Sequence, residues 1–168
     1  FSLVSNIEDS KNNIFQNRII KKSIIESFPF GKTNVQNYLP LLPFAIEQID
    51  VGQYDLVISS SHAFAKGIIT SPEQLHISYI HTPMRYAWDQ MNTYLEQSKL
   101  SNLGFKIPIR YALYKLRQWD FLSSQRVDYL ISNSNFTAKR IRKYWGLTSE
   151  VIHPPVDIER FNFKNTRE

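Results

Sequence analysis

Three stretches of this chain repeat one pattern, and that pattern constrains the fold more than any other feature. Each is a short apolar run followed by a small polar turn and then by a helix-like segment. The apolar runs cover residues 54–59, 75–80 and 128–132. Near-continuous apolar strands that alternate with helices are typical of a parallel sheet covered on both faces. The pattern therefore predicts an α/β, Rossmann-like domain of three layers with a mainly parallel sheet.

The carboxyl-terminal half carries the clearest helix and strand signals. A long helix is predicted over 108–125, because apolar residues recur there at helical spacing. These are Ile109, Ala112, Leu113, Leu116 and Trp119. A second helix is predicted over 134–145, with Ser134 as its N-cap and Gly146 as its C′ residue. A fourth strand is predicted over 150–153, just before two prolines.

The amino-terminal part gives weaker patterns. Residues 1–5 resemble a strand, and residues 18–28 have the isoleucine spacing of a helix. Two prolines are expected to break regular structure at 39–43, ahead of a helix over 44–48. Residues 63–69 are expected to form a helix after the first of the three strands.

Composition restricts the class of protein. A chain of 168 residues with 42% hydrophobic residues fits about one domain. A net charge of +5 suits a phosphate-bearing ligand, an anionic membrane surface or nucleic acid. The absence of cysteine excludes disulfides and cysteine-bound zinc, and no run reaches the roughly 20 apolar residues of a spanning helix. No secretory signal is present, and because Phe1 already resembles strand interior, we expect a fragment or a processed piece.

Residues 81–89 (His-Thr-Pro-Met-Arg-Tyr-Ala-Trp-Asp) follow directly on the second strand. Ligands of open α/β sheets bind beyond the carboxyl ends of the strands. The imidazole of His81 can exchange hydrogen bonds with a sugar hydroxyl. The alternative is a histidine that caps the strand end and is satisfied by backbone. The position of His81 favours a ligand site.

Other side chains of this segment are candidate substrate contacts, each with a structural alternative. The guanidinium of Arg85 suits phosphate or carboxylate, but an ion pair with Asp89 is equally compatible with the spacing. Tyr86 is a candidate for stacking on a sugar ring or for the core. Thr82 is grouped with these contacts, whereas Trp88 is assigned to the core.

Two polar turns after the first and third strands are further candidates. Hydroxyls and free amides at a helix start can hold phosphate or hydroxyl groups, although plain helix capping explains the same residues. The candidate binding residues there are Ser60, Ser61, His62, Asn133 and Ser134.

Two clusters of basic residues are compatible with contact to a membrane or to phosphate, but each also has a purely structural interpretation. The cations of the second helix are interpreted as a solvated face, and Arg18, Lys21 and Lys22 as part of a core-facing helix. The second helix carries Lys139, Arg140, Arg142 and Lys143.

Several site classes lack their motifs. There is no glycine fingerprint for dinucleotides, no Walker loop and no Gly-x-Ser-x-Gly elbow. The four histidines lack metal-site spacing, and the aromatics are not interleaved with a basic stripe, so no nucleic-acid partner is expected. A dinucleotide-dependent oxidoreductase would need a glycine fingerprint upstream of Phe1.

Six segments in order make the chain similar to the amino-terminal domain of a family 4 retaining glycosyltransferase, closest to bacterial mannosyltransferase-like enzymes. They are YLPLLP at 38–43 with AIEQ at 45–48, YDLVISSSHA at 54–63, HTPMRYAWD at 81–89, LRQWD at 116–120, SNS at 132–134 and VIHPPVD at 151–157. Each is weak alone, but the ordered set is specific.

The resemblance implies the acceptor-side half of a two-domain GT-B enzyme, with His81 at the cleft beside the transferred sugar. It implies transfer of a sugar, with mannose expected, from a nucleotide sugar to a lipid-linked glycan in surface-polysaccharide synthesis. The expected location is cytoplasmic, with peripheral contact to an anionic membrane, and neither a cofactor nor a metal ion is expected. The alternative is a non-catalytic Rossmann-like module that binds an anionic ligand or a partner protein.

Two parts of the family pattern are missing from the sequence. The glycine-rich loop after the family's first strand is expected upstream of Phe1. The second domain, which in this family carries most of the donor site, is expected downstream. Residues 1–155 are therefore predicted to be the acceptor-side domain and 156–168 an interdomain linker. The isolated chain is expected to be inactive.

Overall fold

The computed structural model describes residues 1–4, 20–31, 33–97 and 105–158. Within these residues, four strands form one sheet in the order β1-β2-β3-β4, and every neighbouring pair is parallel. The strands are β1 Leu56–Ser61, β2 Leu75–Ile80, β3 Tyr129–Ser132 and β4 Glu150–Val151. With the helices that flank this sheet, the predicted α/β, Rossmann-like class is confirmed.

The bounds of β1 correct one prediction. The ladder with β2 runs from Leu56 opposite Leu75 to Ser61 opposite Ile80, so the strand continues two residues beyond the predicted end. Ser60 and Ser61 therefore lie in the strand, not in a turn at a helix start. The ladder keeps this backbone extended because its groups are paired with β2. The bounds of β2 are as predicted, and β4 is two residues shorter.

In the described part of the chain, four α-helices accompany the sheet: α1 Leu42–Glu47, α2 Met91–Gln97, α3 Lys106–Ser124 and α4 Asn135–Trp145. The ends of α4 confirm both predicted caps. The Ser134 hydroxyl accepts from the Thr137 amide at 3.2 Å, and Gly146 has a left-handed φ of 71°. In α3 the predicted apolar stripe faces the interior, with Leu113 and Leu116 buried. Within the described ranges, none of the helices combines the length and apolarity needed to cross a bilayer.

Short 3₁₀ turns replace several predicted elements. The helix predicted over 18–28 is wrong where the structure describes it, because only Ile24–Ser27 forms a turn of 3₁₀ helix. Residues 18 and 19 lie outside the described part. Of the strand predicted at 1–5, only Ser2 forms a bridge, with Lys22, and residue 5 is not described. The predicted break at 39–43 is also wrong, since a 3₁₀ helix over Val35–Leu41 leads directly into α1.

The helix predicted over 63–69 is reduced to a 3₁₀ turn, Ala65–Gly67. Close packing explains the difference. A Cβ atom on Gly67 would lie 2.2 Å from the Trp119 ring, so the backbone passes directly against that indole. Lys66 meanwhile turns inward and is only 1% exposed. Tertiary contacts thus decide the local conformation here.

Burial alternates along the strands. One face of the sheet is buried; there Ile141 and Trp145 of α4 pack with Ile80 and Leu130. The opposite face carries exposed apolar side chains, with Ile58 at 69% and Tyr129 at 64%. The same alternation directs His76, near the amino end of β2, into the interior and leaves His81, just beyond the carboxyl end, at the surface. The two histidines therefore have separate roles, as their odd spacing predicts.

Candidate functional site

Polar side chains from the four neighbouring strands meet at the carboxyl edge of the sheet. We call this group the sheet rim, and it consists of Ser60, Tyr79, His81, Asn133 and His153. Parallel strands bring their carboxyl ends to one edge, so residues far apart in sequence become neighbours. The sheet rim is the candidate functional site.

His81 is held by contacts on both its backbone and its ring. Its amide donates to the Ser61 carbonyl at 2.8 Å, which continues the ladder of β1 and β2 by one bond. Its Nε2 lies 2.9 Å from the Ser60 hydroxyl, and its ring meets the edge of Tyr79 at 5.4 Å between centroids. The side chain is exposed, and Nδ1 makes no hydrogen bond to any described residue. One ring nitrogen is therefore fixed and the other is available to a ligand.

The start of α4 is tied to His81. The hydroxyl of Thr137 donates to the His81 carbonyl at 3.1 Å and also receives a hydrogen bond from Ser134 at 3.1 Å. Ser134 lies 3.1 Å from the Asn133 amide oxygen as well. The predicted residues Asn133 and Ser134 are thus brought next to His81, and Ser134 is at the same time an ordinary helix cap.

Two members of the sheet rim were not among the predicted site residues. The Nδ1 atom of His153 lies 3.1 Å from the Asn133 carbonyl, and the Tyr79 hydroxyl donates to the Ile152 carbonyl at 3.0 Å. Sequence order offers a signal for His153, because it follows the fourth strand as His81 follows the second. Tyr79 resembles a core residue in sequence, and only the alternation of β2 directs it to the outer face.

Three predicted contacts lie elsewhere. Ser61 is 2% exposed, and its hydroxyl accepts from the Lys66 amide at 3.3 Å, so it is an interior residue. The Thr82 hydroxyl donates to the adjacent Pro83 carbonyl and is half-buried. His62 is exposed beyond β1 without a hydrogen bond to the described residues. Of the predicted serine pair, only Ser60 faces the rim.

The neighbouring residues Arg85 and Tyr86 have different surroundings. Arg85 is exposed and forms no ion pair within the described ranges, so its pairing with Asp89 is wrong. Tyr86 is half-buried and packs edge-on against Tyr94 at 5.8 Å between centroids. Burial raises the pKa of the Tyr86 hydroxyl well above its usual range. The core alternative therefore describes Tyr86 better than stacking on a sugar.

A buried ion pair lies beneath the 81–89 segment and was missed by sequence reasoning. Lys66 and Asp120, 1% and 0% exposed, approach to 2.6 Å. The other Asp120 oxygen accepts from the indoles of Trp88 at 2.7 Å and Trp145 at 2.8 Å. We call these four residues the Asp120 cluster. The sequence does contain a sign of this cluster. Asp120 follows Leu113 and Leu116 at i+7 and i+4, so a charged residue lies on the helix face that these leucines bury.

Two opposing effects act on the pKa of Lys66 in the Asp120 cluster. Burial lowers the pKa of Lys66, and the Asp120 carboxylate acts in the opposite direction. The ammonium also donates to the Ala63 carbonyl at 3.0 Å and lies 4.9 Å from the Trp119 ring centroid. Because every charged atom has a partner, the pair is tolerated in the interior.

Asp89 fixes the far end of the same segment. Both of its oxygens receive hydrogen bonds from the Arg140 guanidinium, one of them at 2.9 Å. These bonds lower the pKa of Asp89. Trp88 stacks on Tyr144 with ring centroids 4.7 Å apart. Arg140 is 7% exposed, which corrects its predicted place on a solvated basic face.

The surroundings of the rim are open. Two shallow depressions of ≈ 510 Å³ and ≈ 440 Å³ lie near the amino ends of the strands, and neither includes a rim residue. Among the described residues, no group of three or more His, Cys, Asp or Glu side chains could hold a metal ion. The rim therefore forms an exposed edge rather than an enclosed pocket.

The fold and the rim define a Rossmann-like α/β domain that presents polar side chains at the carboxyl edge of its sheet. A family model described as Glycosyltransferase Family 4 matches residues 9–160, which is most of the chain. The chain belongs to this family, and glycosyl transfer is the activity that membership indicates. Comparisons with curated proteins and with solved structures found no match.

Proposed function

We propose that this chain is the acceptor-side domain of a retaining enzyme that transfers mannose from a nucleotide sugar to a lipid-linked glycan. The proposed setting is surface-polysaccharide synthesis at the cytoplasmic face of the membrane. Residues 1–155 would form this domain, and 156–168 would lead into a second domain that holds most of the donor. Family membership supports sugar transfer, and the sheet rim supports a polar substrate.

The single observation that carries the proposal is the arrangement of His81. Ser60 occupies one ring nitrogen, and the other faces solvent beyond the strand end. A neutral imidazole held in this way can donate to or accept from a sugar hydroxyl. Asn133 and Ser134 lie beside it and offer further hydrogen-bonding groups of the kind that recognise sugars.

The proposed reaction breaks the bond between the anomeric carbon and the diphosphate oxygen. The acceptor hydroxyl oxygen bonds to that carbon, and its proton passes to the departing diphosphate oxygen. The transition state carries positive charge at the sugar and negative charge on the leaving diphosphate. His81 would orient the sugar hydroxyls as this charge develops, and cationic groups on the second domain would stabilise the diphosphate.

His81→Ala in the full-length enzyme is the direct test. We expect kcat/KM to fall by about 100-fold or more, because loss of a positioned group at the reacting sugar costs transition-state stabilisation. His81→Gln, which keeps hydrogen-bonding capacity, should lose less. The measurement is sugar transfer with GDP-mannose and related donors.

Lys139→Ala is a suitable control because Lys139 is exposed on α4 and lies outside the rim. Activity of His81→Ala close to that of the wild type would remove His81 from the site. The proposal also requires the 168-residue chain alone to be inactive with nucleotide-sugar donors. Clear turnover by the isolated chain would contradict the assignment of the donor site to a second domain.

A further inference from the structure

Tyr79 contacts two parts of the molecule that have different tasks in the proposed function. Its ring packs perpendicular to the His81 imidazole, with 5.4 Å between centroids and 83° between the ring planes. Its hydroxyl donates to the Ile152 carbonyl at 3.0 Å, just beyond the end of β4. A single side chain on β2 thus contacts both the candidate sugar-binding residue and the segment that leaves the sheet.

The position of Tyr79 in the sheet explains both contacts. Residues i and i+2 of an extended chain lie on the same face, so Tyr79 and His81 are neighbours on the outer face of the sheet. Tyr79 is paired with Ile131 of β3, and Ile131 is paired with Glu150 of β4. Because neighbouring strands are about 4.8 Å apart, the phenol extends over β3 to a strand about 10 Å away. Phenylalanine at this position could cover β3 but could not donate a hydrogen bond beyond it.

Side chains hold the chain where it leaves the sheet, at residues 152–157, which we call the crossing segment. The Ile152 amide donates to the Ser132 carbonyl at 3.0 Å, which extends the ladder by one bond beyond β4. Two prolines follow His153, and they lack the N–H groups that would continue the ladder. The hydrogen bonds of Tyr79 and His153 therefore fix the first residues of the crossing segment.

We propose that Tyr79 is a positioning residue that couples the orientation of His81 to the path of the crossing segment. This inference rests on the proposed function, in which His81 orients the transferred sugar and a second domain holds most of the donor. The Tyr79 ring and the Ser60 hydroxyl, which lies 2.9 Å from Nε2, restrict the imidazole from two sides. The Tyr79 hydroxyl fixes the crossing segment and so favours the arrangement of domains that brings the donor to His81.

Two substitutions in the full-length enzyme separate the two contacts of Tyr79. Tyr79→Phe keeps the ring beside His81 and removes only the hydroxyl. A loosened crossing segment lowers the fraction of molecules in which the bound donor reaches the rim. The KM for the nucleotide sugar should therefore rise about fivefold, the effect of one neutral hydrogen bond, with kcat within about twofold.

Tyr79→Leu removes the ring as well as the hydroxyl. It should raise KM as Tyr79→Phe does, and in addition lower kcat by about tenfold. The reason is that an imidazole with fewer contacts spends less time in the orientation that the transition state needs.

A spectroscopic measurement distinguishes positioning from a general loss of structure. In nuclear magnetic resonance spectra of the enzyme with isotope-labelled histidine, the His81 ring protons carry a ring-current shift from Tyr79. Tyr79→Phe should retain this shift, and Tyr79→Leu should abolish it. The His81 signal is assigned as the one that is missing from His81→Gln. The measurement needs no sugar substrate, so its result does not depend on the proposed function.

Tyr129 provides the matched control, because it lies on the same outer face, is 64% exposed and is not part of the sheet rim. Tyr129→Phe and Tyr129→Leu make the same chemical changes one strand away. They should leave KM and kcat within about twofold of the wild type and the His81 signal in place. Unchanged thermal unfolding midpoints confirm that each variant is folded.

Wild-type KM and kcat in Tyr79→Phe would overturn the proposed link to the crossing segment. A His81 signal that does not move in Tyr79→Leu would overturn the link to the imidazole, and so would equal effects of the Tyr129 controls. A wild-type enzyme that transfers no sugar would contradict the proposed function itself. Transfer by the wild type that the Tyr79 substitutions leave unchanged would remove only the coupling.

Discussion

The sheet rim and the Asp120 cluster share the 81–89 segment, but their polar groups are satisfied to very different extents. In the Asp120 cluster both carboxylate oxygens are occupied and both charges are buried. At the rim, His81 has one ring nitrogen paired and the other free toward solvent among the described residues. The Asp120 cluster therefore fixes the segment in place, whereas the sheet rim keeps hydrogen-bonding capacity for a ligand.

Asp120→Ala should destabilise the fold more than any other single substitution proposed for these two regions. The substitution leaves the Lys66 charge buried without its partner, and two indole N–H groups lose their acceptor. We expect the free energy of unfolding to fall by about 3–5 kcal/mol. Urea denaturation of the chain measures it.

The matched control for this prediction is Asp120→Leu combined with Lys66→Met. This pair removes both charges and fills a similar volume, so it should recover much of the lost stability. If Asp120→Ala unfolds at the same urea concentration as the wild type, the Asp120 cluster does not hold the segment.

The buried His76 should make the stability of the fold depend on pH. Burial lowers the pKa of His76 below its ordinary value of 6.5. The folded state thus binds fewer protons there than the unfolded chain, so stability is complete above about pH 6.5 and falls as the pH drops below it. One proton can account for at most about 1.4 kcal/mol per pH unit.

His76→Gln tests this assignment, because glutamine retains a polar partner for the Ser59 hydroxyl, which lies 2.9 Å from His76 Nε2. Stability of the variant should change less between pH 7 and pH 5 than that of the wild type. The measurement is the urea midpoint of each protein at several pH values. If the midpoints of the wild type and the variant depend on pH in the same way, a group other than His76 causes the loss of stability.

Asp89→Asn examines the other anchor of the segment. The carboxylate is 38% exposed and bonds a guanidinium that is 8% exposed, so solvent screens the pair in part. We expect a loss of about 1 kcal/mol, measured by thermal or urea unfolding. A double-mutant cycle with Arg140→Gln isolates the pairwise contribution, and a coupling energy near zero would contradict the proposed anchor.

His81→Ala should have the smallest effect on stability. The side chain is exposed and makes one hydrogen bond at 2.9 Å, so the free energy of unfolding should change by less than about 0.5 kcal/mol. If the same substitution also causes a large loss of transfer activity, the sheet rim serves the reaction and the Asp120 cluster serves stability. A loss of several kcal/mol would instead make His81 a structural residue.

Sequence reasoning predicted the sheet well where a signal was local. The strand–helix alternation gave β2 and the class of fold, and the capping chemistry of Ser134 and Gly146 gave the ends of α4. The end of β1 was misjudged because serine favours turns, whereas pairing with β2 keeps Ser60 and Ser61 extended.

The candidate site was predictable in part for a similar reason. Position after a strand identified His81 and Asn133, because the fold itself brings strand ends together. The pairing of Asp89 with Arg140 spans 51 residues, and that of Lys66 with Asp120 spans 54. Such long-range partners depend on how helices cross the sheet, which no local spacing encodes.

The Asp120 cluster has a consequence for how the protein can be observed. All three tryptophans of the chain touch it: Trp88 and Trp145 bond the carboxylate, and Trp119 lies against the Lys66 ammonium. Intrinsic fluorescence therefore reports on this one location, whereas far-ultraviolet circular dichroism reports on all helices and strands. If the domain unfolds in a single cooperative step, the two signals will change at the same urea concentration.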